Sequence, residues 1–343
     1  MKIRKLAAWS LKICVLGLLL YVIARRIDVK SVAQTSLEVH VELLALALAL
    51  KVIVVALKSQ RWGRAIEGLT GIRPAKRLFS STMVGVAGNL FLPARMGEVA
   101  RVALFRKKNN TPISTILASL GVIHFLDLFL LSLYFSLVTF SGGLPIAVSA
   151  KIAWSVMIGI PAMILAGWGA LFVFPKALRS FITGVTSRLP QSVGRPLESM
   201  GSRLLENLER IRSSPQLPVL GVSTIAVWVA ETGAIACALA AFQIPVTPLM
   251  AASLLVILNL SFVVPLTPGN VGIHQLIAIL VLGSYGIAEQ QALAFSIGFQ
   301  LLVTTLFGLW GGIVFVTDRA SGESIEAETT KSLVLQQASR VPA

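Results

Sequence analysis

The feature that most constrains this chain is a set of apolar runs of bilayer length with basic residues at their ends. A helical crossing takes roughly 20 mostly apolar residues. The runs 6–24, 41–57, 113–140, 152–174, 217–242 and 291–317 supply six candidates. Charged residues make up only 13% of the 343, about half of the roughly 25% usual in a soluble domain. That excludes a soluble enzyme, a nucleic-acid binder and a disordered regulator. The formal net charge of +15 then belongs to cytoplasmic loops that hold a membrane protein in orientation. The first run has no small-residue cleavage site after it and is read as an uncleaved anchor. Cys14 and Cys237 both lie in apolar runs. They build no disulfide framework, and no His, Cys or carboxylate set has metal-ligand spacing, so neither metal nor cofactor is expected.

Two further apolar stretches, 79–105 and 248–285, are broken in the middle by proline and glycine. The first break holds Pro93 and Gly97, the second Pro268, Gly269 and Gly272. Such breaks free backbone groups that lipid cannot satisfy, so they occur inside protein or beside a water-filled cavity. Charge decides whether these stretches cross. With a cytoplasmic N-terminus and two re-entrant hairpins, the segments 1–5, 58–78, 95–108, 175–216 and the tail lie inside. They carry 24 of the 30 Lys and Arg residues, against 4 outside. A full crossing by 79–93 would move Arg95 to Lys108 outside, against the positive-inside rule. The expected architecture is therefore all-α. It has about six transmembrane helices and two oppositely oriented re-entrant hairpins, an arrangement that places transporter substrate sites near the midplane. The loop 175–216 has Leu197, Met200, Leu204, Leu208 and Ile211 at helical spacing. It reads as an amphipathic helix on the cytoplasmic leaflet or capping the bundle. Residues 1–318 form the membrane domain and 319–343 read as a disordered cytoplasmic tail.

Charged groups within a bilayer cost at least about 2.5 kcal/mol on insertion scales, so they point to function or to pairing. Arg95, Glu98 and Arg101 sit at and just after the first break. The planar guanidinium suits phosphate, so either arginine could hold a lipid headgroup, with Glu98 as internal partner and Asn89 nearby. Asp127 and Glu231 are mid-span carboxylates that pair with the arginines or relay a proton. His124 shares a helical face with Asp127, and Lys51 lies deep enough in the second span to join the cavity. At the second break Thr267 and Asn270 suit backbone satisfaction, while His274 and Gln275 suit cavity lining.

The segment Asn89-Leu-Phe-Leu-Pro93-Ala-Arg95-Met-Gly97-Glu98-Val-Ala-Arg101 and the segment Pro265-Leu-Thr-Pro268-Gly269-Asn270-Val-Gly272 resemble the lysylphosphatidylglycerol synthetase transmembrane-region family, the flippase-like domain proteins. The likeness extends over about residues 5–318. It departs from the family's common second motif in that Asn270 replaces a glycine and Gln275 stands in place of a Glu. The resemblance implies a role in moving or modifying lipids in a prokaryotic cytoplasmic (inner) membrane, without the soluble synthetase domain of the fused enzymes. The expected function is a multi-pass lipid translocase or lipid-trafficking protein with both termini cytoplasmic. Its expected partners are membrane lipids with an anionic, phosphate-bearing headgroup, with lipid-biosynthesis enzymes or a second copy as further partners and no nucleic acid. The alternative is a membrane-embedded lipid- or glycolipid-modifying enzyme, or an accessory subunit of one. No ATP-binding motif is present, so movement is downhill, ion-coupled or driven by a partner.

Overall fold

A computed structural model describes residues 38–74, 78–91, 96–109, 111–142, 175–188, 190–261, 267 and 270–338. The expected spans 6–24 and 152–174 and the tip residues Pro93, Arg95, Pro268 and Gly269 lie outside the described residues. The described residues form α1 (Val41–Thr70), α2 (Leu78–Phe91), α3 (Met96–Asn109), α4 (Ile113–Phe140), α5 (Pro175–Thr186), α6 (Gln191–Arg212), α7 (Gln216–Ala241), α8 (Pro248–Ser261), α9 (Ile273–Ser284) and α10 (Glu289–Ala338), and contain no strand.

Proline marks several of the starts. Pro112, Pro190 and Pro215 precede α4, α6 and α7, and Pro248 opens α8. Its missing N–H costs nothing in a first turn, whose donors have no helical partner. Thr247 caps α8 by accepting from Met250 N–H at 3.1 Å. At the other end of α1, Gly71 takes φ +73° and donates its N–H to Glu67 O, the left-handed termination that glycine adopts without strain.

Among the described residues three helices are long and apolar enough to cross a membrane: α4, α7 and the part of α10 from Glu289 to Thr317. They match three of the expected spans to within two residues. The broken stretches divide into α2 with α3 and α8 with α9. Each of these helices has 12 to 14 residues. At 1.5 Å per residue that is about 21 Å or less, short of a hydrocarbon core of about 30 Å. Helix α3 folds back on α2 with Gly97 against Gly85 and Asn89. A Cβ on Gly97 would run into Gly85 O and lie 2.5 Å from Asn89 N, so only glycine allows this closeness.

One expectation needs correcting. The second apolar run was expected to end at 57, with 58–78 as a loop, yet α1 continues to Thr70. Leu57, Arg61, Trp62, Ala65, Ile66 and Leu69 keep the i, i+3/i+4 spacing that buries one face. Arg61 and Trp62 are wholly inside, at 2% and 0% exposure. Helix α7 runs along α1, and α4 packs on both. This trio carries much of the main core, which α8, α9 and α10 complete with residues such as Leu254, Val281 and Phe295. A second cluster around Trp62, Phe105, Ile123 and Ile211 joins α3 and α6 to the bundle. The amphipathic segment thus caps the helices: Ile211 is buried, facing Gly68 of α1. Helix α10 runs on to Ala338 through residues expected to be disordered, a stretch without proline in which nothing forces the helix to stop.

Candidate functional site

The site is built around one face of α1. Lys51, Lys58, Arg61 and Trp62 fall on it at helical spacing, and the facing seam of α7 presents Thr224, Trp228 and Glu231, again at i, i+4, i+7.

Arg61 and Asp127 of α4 form a closed pair. Nη1 and Nη2 of Arg61 donate to Oδ1 and Oδ2 of Asp127 at 2.6 and 2.8 Å. Nη1 also donates to Thr224 Oγ1 at 3.1 Å, and Trp228 Nε1–H donates to Asp127 Oδ1 at 3.2 Å. A two-pronged guanidinium–carboxylate contact with added hydrogen bonds at Thr224 and Trp228 offsets desolvation of a buried pair, although Arg61 Nε is buried without a hydrogen-bond partner among the described residues. The sequence pointed instead to Arg95 or Arg101 as the partner of Asp127. The change follows from the length of α1, which brings Arg61 inside.

Glu231 is shared. Lys51 Nζ donates to its Oε2 at 2.7 Å and Lys58 Nζ to its Oε1 at 2.8 Å. Its partners are thus lysines of α1, not the arginines of the first hairpin, because α7 lies along α1 throughout.

The first hairpin carries a different arrangement. Arg101 is 6% exposed, and its stem lies against Gly85, where an added Cβ would sit 3.0 Å from Arg101 Cβ. Its guanidinium carbon stands 4.0 Å above the ring of Trp62, within range for a cation–π contact. Trp62 is fixed by donating Nε1–H to Ser119 Oγ at 3.0 Å and by Phe105, with ring centroids 4.6 Å apart. Among the described residues one nitrogen of Arg101 is paired: Nη1 donates to Glu98 Oε2 at 3.3 Å. Nε and Nη2 are buried without a hydrogen-bond partner among the described residues. These two N–H groups lie side by side on one edge of the guanidinium, the edge that grips a carboxylate or phosphate with two parallel bonds. Glu98 Oε1 accepts from Asn89 Nδ2 at 3.4 Å, and Asn89 Oδ1 is likewise buried without a partner among the described residues.

The second hairpin spends its polar groups on itself and on α10. Thr267 donates Oγ1–H to Val271 O at 2.8 Å, and Asn270 donates Nδ2–H to Ser261 Oγ at 2.7 Å. Asn270 holds φ +58° and Gly272 φ +83°; after glycine, asparagine is among the residues that most readily take that region. Gln275 accepts the Gly272 N–H at 2.7 Å and donates to Gln300 Oε1 at 2.7 Å. His274 Nδ1 and Ser296 Oγ are 2.7 Å apart. Thr267 serves the backbone as expected and Gln275, expected to line a cavity, does so too, whereas the Asn270 side chain bonds the Ser261 hydroxyl and its Oδ1 is buried without a partner among the described residues. His124 is on the exposed side of α4, three residues from Asp127. Among the described residues no group of three or more His, Cys, Asp or Glu could hold a metal ion.

Two residues central to this arrangement, Lys58 and Arg61, were assigned by sequence to a loop. The continuing periodicity through Ala65, Ile66 and Leu69, ended by Gly71, is the signal that places them in a helix.

The family described as the lysylphosphatidylglycerol synthase TM region matches residues 9–311. Neither the curated proteins nor the solved structures contain a match to the chain.

Proposed function

The chain belongs to the lysylphosphatidylglycerol synthase TM region family and is a multi-pass membrane protein; from this and the geometry of the first hairpin we propose that it is a lipid translocase or lipid-trafficking protein of a prokaryotic inner membrane, with an anionic, phosphate-bearing headgroup as substrate. The observation that carries the reading is the open Nε/Nη2 edge of Arg101. A buried guanidinium whose two-pronged edge has no hydrogen-bond acceptor among the described residues is prepared for an anion from outside the chain. Glu98 and Trp62 hold the guanidinium in place. Arg95 at the hairpin tip belongs to the same site in this reading. The second hairpin, in this reading, enters from the opposite side while the acyl chains stay in the bilayer.

The test is the full chain in phosphatidylcholine vesicles doped with labelled phosphatidylglycerol. Transbilayer movement with unchanged lipid mass supports translocation, whereas a new lipid species supports the modifying enzyme instead. Arg101→Ala is expected to lower both flux and co-purified anionic lipid by about tenfold or more, the scale of one lost charge-assisted contact. Arg101→Lys, which keeps the charge and loses the fork, should fall between. Wild-type flux and lipid content in Arg101→Ala would overturn the reading.

A further inference from the structure

Glu231 needs one lysine and has two. Lys51 and Lys58 lie seven residues apart on α1, about 10.5 Å along its axis, and reach the same carboxylate from opposite ends. The triad therefore holds one positive charge in excess inside an apolar bundle, where uncompensated charge is costly. The neighbouring Arg61–Asp127 pair is already neutral and closed, so it does not supply the missing anion. The two lysines are not equivalent. Lys51 has 21% of its side chain exposed and Lys58 35%, so Lys58 is the one that a ligand can reach. If Lys58 turns away, Glu231 keeps its 2.7 Å contact with Lys51.

Lys58 also stands in register with Arg101. It precedes Trp62 by four residues, which puts both on one face of α1 about 6 Å apart along the axis, and Trp62 carries the Arg101 guanidinium on its ring. A cation with an open two-pronged edge is thus followed, one helical turn away, by a flexible cation in excess. We propose that Lys58 is a second anion subsite of the same binding site, and that the preferred ligand is a lipid diphosphate, one phosphoryl group held by the Arg101 edge and the next by Lys58 released from Glu231. This rests on the reading of Arg101 as the headgroup anchor.

The experiment compares two lipids with the same acyl chains, dioleoyl phosphatidic acid and dioleoylglycerol diphosphate, each doped into phosphatidylcholine nanodiscs that hold the full chain. Wild-type protein is expected to bind the diphosphate about tenfold more tightly. In Lys58→Gln the ratio should fall to within about twofold, and Lys58→Arg should restore it. Arg101→Ala should weaken both lipids. Equal affinities in the wild type, which need no variant to fold, would overturn the second subsite, as would a ratio that survives in Lys58→Gln. If Arg101→Ala still weakens both lipids in that case, the headgroup reading stands without the subsite. Affinities untouched by Arg101→Ala would remove the anchor reading itself. Inorganic phosphate and diphosphate serve as soluble competitors. Competition by inorganic diphosphate at the lipid's own affinity would overturn the lipid assignment in favour of a free anion, and its failure to compete supports the lipid.

Discussion

Two buried arginines stand on either side of this site, and they are paired in opposite ways. Arg61, between α1, α4 and α7, has both terminal nitrogens on Asp127 at 2.6 and 2.8 Å and a third bond donated to Thr224, with Nε buried and without a partner among the described residues. Arg101, on the first hairpin, has one hydrogen bond, to Glu98 at 3.3 Å, and an Nε/Nη2 edge without a partner among the described residues. Burial is similar, at 2% and 6% exposure, so desolvation does not separate them. What separates them is the geometry of the acceptors. A carboxylate facing the guanidinium end-on from another helix closes it, whereas a carboxylate three residues away on the same helix reaches one nitrogen only. The first arrangement is glue; the second leaves a binding surface.

The largest expected effect therefore falls on the closed pair. Asp127→Asn leaves the Arg61 charge without its counter-ion, and removing one member of a buried pair costs roughly 3–5 kcal/mol. Detergent-solubilised protein should lose most of its folded fraction on heating or denaturant titration. A stability equal to wild type in this variant would erase the distinction drawn above.

A smaller loss is expected from the open pair. Arg101→Ala removes one long salt bridge and a cation–π contact, together about 1–2 kcal/mol, while ligand binding falls far more. A stability loss as large as that of Asp127→Asn would make Arg101 a structural charge after all.

Smaller still is Gly85→Ala. The added Cβ would press on the Arg101 stem at 3.0–3.1 Å, so the stem must shift by a few tenths of an ångström. The expected outcome is a stability change below about 1 kcal/mol together with weakened lipid retention, read by mass spectrometry of co-purified lipid. Unchanged retention would show that the position of the guanidinium tolerates more displacement than the proposed site allows.

Much of the architecture was legible along the chain. The limits of α4, α7 and the membrane part of α10 were given by apolar runs, because helix boundaries and bilayer length are local properties. The two hairpins were given by proline and glycine in the middle of such runs. Glu98 and Arg101 were legible as a pair because they are three residues apart on one helical turn. The end of α1 was misjudged because Lys58, Arg61 and Arg64 were weighed as charges before the apolar spacing of their neighbours was followed to Gly71.

The sequence by itself determined the class of protein, the positions of its long apolar helices and breaks, and the presence of costly charges among them. Only the tertiary structure decided which charges meet. Arg61 finds Asp127 across 66 residues, and Lys51 finds Glu231 across 180; no periodicity links residues so far apart. Helical spacing fixes the face on which a side chain stands, but its partner is fixed by which helix packs against that face. The open edge of Arg101 follows from the same cause: among the described residues, no helix brings a second carboxylate to it.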